Sequence, residues 1–339
     1  MVGPSFFSVT ICKCKNLTIV WQLILTHSLI LHDKSIKMTR KGFSSLGIFL
    51  LTSISLLPMF ILYRLADLLY VLVYHVFGYR RAVVRGNLKL SFPEKSDAEI
   101  NVIEKKYYKF LASLVVEIVK MKSISEKELK KRVKFKNADL VNAYLQNNES
   151  VLFCSAHFGN YEWVCMGIGL EFSAGDHYPI YKPLSNPVFD NWFLQMRSRF
   201  GNRMVSMRQT LRTIQTTKNT TSMFTFGSDQ APSNGESNYW TTFLNQETSI
   251  QLGIEKIAKK SNRPVFYLKI NYLKRGYYEV DCVPICLNPA ETAEFEITLL
   301  QTRFLEEMIK EAPAYWLWSH RRWKHKPPAA KVKEVYTEA

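Results

Sequence analysis

Val151-Leu-Phe-Cys-Ser-Ala-His-Phe-Gly-Asn-Tyr-Glu162 marks a change in the character of the chain. Its first six residues are small or apolar and read as a buried strand, and Asn160 opens an apolar helical stretch after a short turn. The same alternation continues downstream. Strands are predicted over 177–183, 204–207, 222–230 and 264–273, with 276–286 pairing beside the last, and helices over 160–172, 187–201, 208–218 and 249–261. Such alternation predicts an α/β fold, a central mixed sheet covered by helices, whose ligands bind at the carboxyl ends of the strands.

His157 directly follows the first strand, so it stands at a strand's carboxyl end. Gly159 permits a tight turn, Asn160 caps the helix, and Glu162 falls in the helix's first turn, where the helix dipole favours an ionised carboxylate. Such a carboxylate can fix the tautomer of a neighbouring imidazole and stabilise its protonated form, which makes His157 a general base for an attacking alcohol. No Gly-x-Ser-x-Gly elbow offers a nucleophile instead. His-x4-Glu also arises by chance, as a core histidine with a capping glutamate, so the surroundings carry weight. Lys182 ends the next strand and suits a phosphate or a developing negative charge. Asp229 and Gln230 end a third strand at the same rim.

The chain has 339 residues, 47% of them hydrophobic, which supports a packed globular protein. Lys plus Arg number 45 against 29 Asp plus Glu, a net +16 that favours an anionic partner such as lipid headgroups, nucleic acid or an acidic protein. Cysteines 12, 14, 154, 165, 282 and 286 lack the spacing of a zinc site and read as reduced. Gly42 to Leu62 is a 21-residue stretch without charge, long enough for a membrane helix. The run from Leu65 to Tyr79 follows Arg64 and contains Asp67, so it reads as interfacial. The segments expected are 1–37, an N-terminal extension with Met38 as the natural start; 42–78, a membrane anchor and interfacial helix; 79–148, a helical module opened in part by the capping pair Ser96 and Glu99; 149–328, the catalytic domain; and 329–339, a loose charged tail. Near its end, Tyr315, Trp316, Trp318 and Trp323 mix with Arg321, Arg322, Lys324 and Lys326, a composition suited to a bilayer interface, a phosphorylated headgroup or nucleic acid.

Together VRGNLKLSFPEKS, SAHFGNYEW, YKPLSNPVFD, GSDQ and YWLWSHRRWKHKP resemble the late acyltransferases of lipid A biosynthesis, the lauroyl/myristoyl family, which is itself akin to the glycerolipid acyltransferases with an H-x4-D/E motif. The resemblance runs from the membrane segment to about Pro328. It implies a glycerolipid-acyltransferase-like fold and transfer of a fatty acyl chain from acyl carrier protein, or coenzyme A, to a hydroxyl of a lipid A precursor. The site would face the cytoplasm at the bacterial inner membrane, with no cofactor, no metal and no nucleic acid partner. His157 and Glu162 fall on the family's catalytic pair. Asn160, Lys182, Asp229, Gln230, Arg321 and Arg322 fall on its substrate side, with Lys182 where the family commonly carries arginine. The resemblance also implies an oxyanion held by amides near Gly159 or by Lys182. Two other readings stay open: an acyltransferase for another lipid (lysophospholipid, aminolipid or glycolipid), and a membrane-tethered lipid-binding protein without catalysis.

Overall fold

The computed structural model describes residues 34–232 and 239–327; the readings placed on residues 1–33, on residue 328 and on the charged tail 329–339 lie outside these. Seven strands form the main sheet: β1 Val133–Lys136, β2 Val151–Ser155, β3 Asp176–Tyr181, β4 Val205–Ser206, β5 Ser222–Gly227, β8 Val265–Lys274 and β9 Tyr277–Cys286. Their order is β1-β9-β8-β2-β5-β3-β4. Neighbours are parallel except β8 and β9, which form an antiparallel hairpin, so the sheet is mixed as expected.

Connecting helices α7 Tyr161–Glu171 and α8 Pro187–Arg197 carry the chain one way across the sheet, and α9 Thr210–Thr216 and α10 Gly253–Ser261 carry it back. Right-handed crossovers therefore put α7 and α8 on one face and α9 and α10 on the other. Two elements were not expected. β1 lies inside the module read as helical and extends the sheet's edge beside β9. β6 Tyr239–Phe243 and β7 Gln246–Ile250 form a separate hairpin, so the helix expected from Ser249 begins only at Gly253.

The uncharged stretch does not form one membrane helix. Helix α1, Lys34–Ser55, stops before a turn, and α2, Met59–Tyr70, begins anew and runs into a π-helical turn at Val71–Val76. Pro58 lacks an N–H and disfavours helical backbone at Leu57. The carbonyls freed at this break are taken by Lys120 Nζ, 2.9 Å from Ser55 O and 3.0 Å from Leu57 O. The second run, Met59–Val76, is the one long and apolar enough to cross a membrane among the described residues. Both helices dock on the domain, α1 against α8 and α2 against α4, Asp97–Lys120. Their outer faces leave Phe43, Phe49 and Phe60 exposed, and Phe77, just past the π-helical turn, is exposed as well. Ser96 and Glu99 form the expected capping box at the start of α4. The short helices α3 Arg81–Ser91, α5 Glu126–Arg132 and α6 Ala138–Gln146 complete this part, and α11 Glu296–Glu311 leads to the C-terminal segment.

Candidate active site

Register brings the central pair together. Ser155 of β2 lies opposite Gly227 of β5, so two residues further on His157 meets Asp229. Asp229 Oδ1 is 2.7 Å from His157 Nδ1, and Oδ2 accepts the His157 backbone N–H at 3.1 Å and Trp316 Nε1–H at 2.9 Å. An ionised carboxylate only accepts, so Nδ1 carries the proton and the neutral ring presents its Nε2 lone pair. Nε2 lies 3.3 Å from Gln230 Nε2, at the wall of a cleft of about 1100 Å³.

Burial alone would lower the His157 pKa, but the charge and hydrogen bond of Asp229, with a further contribution from Glu162, raise it above the ordinary value. Burial alone would raise Asp229; the His157 charge and the bonds from His157 and Trp316 outweigh it and hold the carboxyl at about 2. The two shifts describe one coupled ion pair that favours imidazolium beside carboxylate.

Glu162 lines the same cleft, yet no hydrogen bond joins it to His157. Its carboxylate holds Arg197 in a two-point ion pair, Nε to Oε2 at 2.8 Å and Nη2 to Oε1. Arg197, at the end of α8, also lines the cleft. Lys182 is exposed at the cleft wall one residue beyond β3. Asp190 orders its turn by accepting the Leu184 N–H at 2.8 Å, and Asn186 ties that turn to Ser44 of α1 at 3.0 Å.

Asn160 is fully buried: it caps α7 through the Trp163 N–H and donates to Glu117 Oε2 at 2.8 Å, so it faces the core and not the cleft. The Gly159 N–H donates to Tyr315 O at 2.9 Å, which removes it as an oxyanion donor. Arg321 is exposed and outside the cleft wall. Arg322 is buried, donates to Ser249 O at 2.8 Å, and is lowered to about 10 by burial against the attraction of Asp229. It lines a small cavity of about 10 Å³ behind Asp229.

The aromatic end of the chain is core. Trp316 and Trp318 are buried, Arg80 and Asn87 hold its backbone at Ser319 and Trp318, and Phe158 bridges Trp316. The composition that suited a bilayer interface instead braces the site, because the indole N–H groups of Trp316 and Trp318 both find internal acceptors, Asp229 Oδ2 and Pro313 O. Arg197 and the bracing role of Trp316 were not anticipated. Nothing in the sequence set Arg197 apart from other arginines at helix ends.

Residues 31–325 match the family described as bacterial lipid A biosynthesis acyltransferase. A lipid A biosynthesis acyltransferase of Haemophilus influenzae is 21% identical over 80% of this chain and 85% of its own length. A lipid A biosynthesis lauroyltransferase of Escherichia coli is 22% identical over 83% and 91%. A lipid A biosynthesis myristoyltransferase of Escherichia coli is 28% identical over 37% of this chain and 38% of its own.

Proposed function

Because this chain belongs to the bacterial lipid A biosynthesis acyltransferase family and is therefore an acyltransferase, we propose that it transfers a fatty acyl group from a thioester, on acyl carrier protein or coenzyme A, to a hydroxyl of a lipid A precursor. The observation that supports this reading best is the geometry of His157: Nδ1 held by Asp229, Nε2 turned to a cleft of about 1100 Å³.

His157 Nε2 takes the proton of the acceptor hydroxyl, whose oxygen attacks the thioester carbonyl carbon. The C–O bond forms, the tetrahedral intermediate collapses, the C–S bond breaks, and the departing thiolate takes the proton back from Nε2. Products are an ester and a thiol, with the ring neutral again. Asp229 is a positioning residue that fixes the tautomer and stabilises the imidazolium. Of the cations in the cleft wall, Arg197, held by Glu162, and Lys182 are the two that we assign to the developing oxyanion or to an acceptor phosphate. In this reading Glu162 acts through Arg197 and through its charge on His157. Gln230 lies beside Nε2 and helps place the hydroxyl. The chemistry runs through side chains alone. The exposed phenylalanines of α1 and α2 suit a monolayer surface, and with the thioester donor being cytoplasmic we place the enzyme on the cytoplasmic face of the inner membrane.

Purified protein with acyl carrier protein thioester and lipid A precursor tests this. Transfer should occur and should fall ~10²-fold or more in His157→Ala. Equal transfer by wild type and His157→Ala would overturn the mechanism. Mass spectrometry of membrane lipids after deletion tests the acceptor: an intact lipid A with an altered aminolipid or phospholipid pool would remove the lipid A precursor.

A further inference from the structure

The cleft has a second end, and it is cationic. From His157 it runs down the sheet face covered by α9 and α10, over Phe226 and between Ile214 and Ile257. At its far end stand Lys218, after α9, Lys260 in α10, and Arg263, just before β8. Leu152 lies opposite Val265 in the parallel β2–β8 pair. His157 is five residues past Leu152 and Arg263 two before Val265, so the two ends are roughly 20 Å apart along the strands.

Arg263 is 7% exposed, and its guanidinium lies over the Phe224 ring at 5.4 Å. Its Nη1 is buried with no hydrogen-bond partner among the described residues. A buried, unpartnered guanidinium N–H is costly unless a ligand completes it. Glu162 is the only carboxylate in the described cleft wall, and Arg197 neutralises it, so the far end keeps its positive charge. A bare acyl chain laid along the cleft would bring its methyl end against three cations. A ligand with an anion at one end and a reactive carbonyl at the other, joined by a long thin arm, matches both ends. These cations also sit on the sheet face opposite α8, the helix against which lipid-facing α1 packs.

We propose that Lys218, Lys260 and Arg263 seat the phosphate of a phosphopantetheine arm whose acyl thioester reaches His157. This rests on the acyl-transfer reading above. A phosphate on the acceptor lipid is the other source of the same chemistry, and kinetics separates the two.

The full-length enzyme is assayed with dodecanoyl-phosphopantetheine and dodecanoyl-pantetheine, which differ only in the phosphate. Wild type should show a KM about tenfold lower for the phosphorylated donor, the size expected of charged hydrogen bonds. The double variant Lys218→Gln, Lys260→Gln, both exposed and safe for folding, and separately Arg263→Gln, should bring that ratio towards one, while Lys127→Gln on distant α5 keeps it. A ratio of one in wild type, or a ratio that survives in the variants, overturns the proposal. So does a raised KM for phosphorylated acceptor with the donor ratio intact. Binding of 4′-phosphopantetheine against pantetheine by calorimetry needs no turnover. Selective binding that the variants abolish, without any acyl transfer, would keep the phosphate seat and sink the acyl-transfer reading instead.

Discussion

Trp316 Nε1 donates to Asp229 Oδ2 at 2.9 Å, so a side chain near the end of the chain fixes the carboxylate that orients His157. Trp316→Phe deletes this bond while keeping most of the aromatic volume. A hydrogen bond to a charged group contributes about 1.5 to 3 kcal/mol, so the thermal midpoint should fall. The acidic limb of the kcat/KM profile should also shift, because Asp229 loses one of the bonds that hold it ionised. A destabilised variant with an unmoved pH profile would show that the indole only fills space.

Asp229→Asn should reduce kcat/KM by ~10² to 10⁴. Its pH dependence has a definite sign. Wild-type His157 is raised above its ordinary value, and only the neutral ring can act as base, so activity climbs with pH through that raised value. Without the Asp229 charge, burial governs and the acidic limb moves to lower pH. Stability follows the same pair. The His157 contribution is complete below its unfolded value of ~6.5 and is lost as pH rises through the raised folded value. The Asp229 contribution is present above ~4 and is lost as pH falls towards about 2. Denaturant titrations of wild type and Asp229→Asn across this range check both signs.

How much of this site the sequence disclosed turns on register. His157, Lys182, Asp229 and Gln230 were each assigned to strand ends at one rim, and the structure puts all four there. Which carboxylate meets the imidazole depends on β2 lying beside β5 with Ser155 opposite Gly227, and one sequence carries no pairing information. Glu162 was the nearer candidate along the chain, but the turn through Gly159, at φ 57°, and the cap by Asn160 start α7 so that its first turn meets Arg197. The hairpin β6–β7 was missed for a local reason. Its turn residues Leu244 and Asn245 both have positive φ, 50° and 60°, without the Asn-Gly or Asp-Gly pair that announces such turns. The four residues of β1 alternate with lysines and resemble the end of the basic helix before them.

Glu162→Gln separates the two carboxylates. It leaves the mostly buried Arg197 charge without its partner, a change that costs about 3 to 5 kcal/mol when a buried pair is broken. Glu162→Gln with Arg197→Met should recover much of that stability without recovering activity. The acidic limb should move far less than in Asp229→Asn, since Glu162 contributes less to the His157 shift than Asp229 does. An equal shift in both variants would make Glu162 the group that orients the imidazole.

Gly159→Ala addresses the turn itself. Its φ of +57° disfavours a side chain, and an added Cβ would stand 2.8 Å from Ile270 Cγ2. The backbone term alone costs on the order of 1 to 3 kcal/mol. Because Gly159 N–H is bonded to Tyr315 O, the displacement also loosens the segment carrying Trp316. Calorimetry should show a lower midpoint and the kinetics a lower kcat; an unchanged midpoint would mean that the turn tolerates the methyl group.

The break at Pro58 makes the membrane attachment proposed above testable. Phe49 on α1 and Phe60 on α2 are 66% and 71% exposed in helices that dock on the domain with their other faces. Burying one phenylalanine in lipid contributes about 1.5 to 3 kcal/mol, so Phe49→Asp with Phe60→Asp should weaken vesicle binding by at least ~10²-fold. Neither residue lines the cleft, so transfer to a detergent-dispersed acceptor should persist. Co-sedimentation with anionic phospholipid vesicles reads the first quantity and the soluble assay the second. Undiminished sedimentation of the double variant would indicate attachment through some other part of the chain, and the exposed rings of α1 and α2 would then need a different explanation.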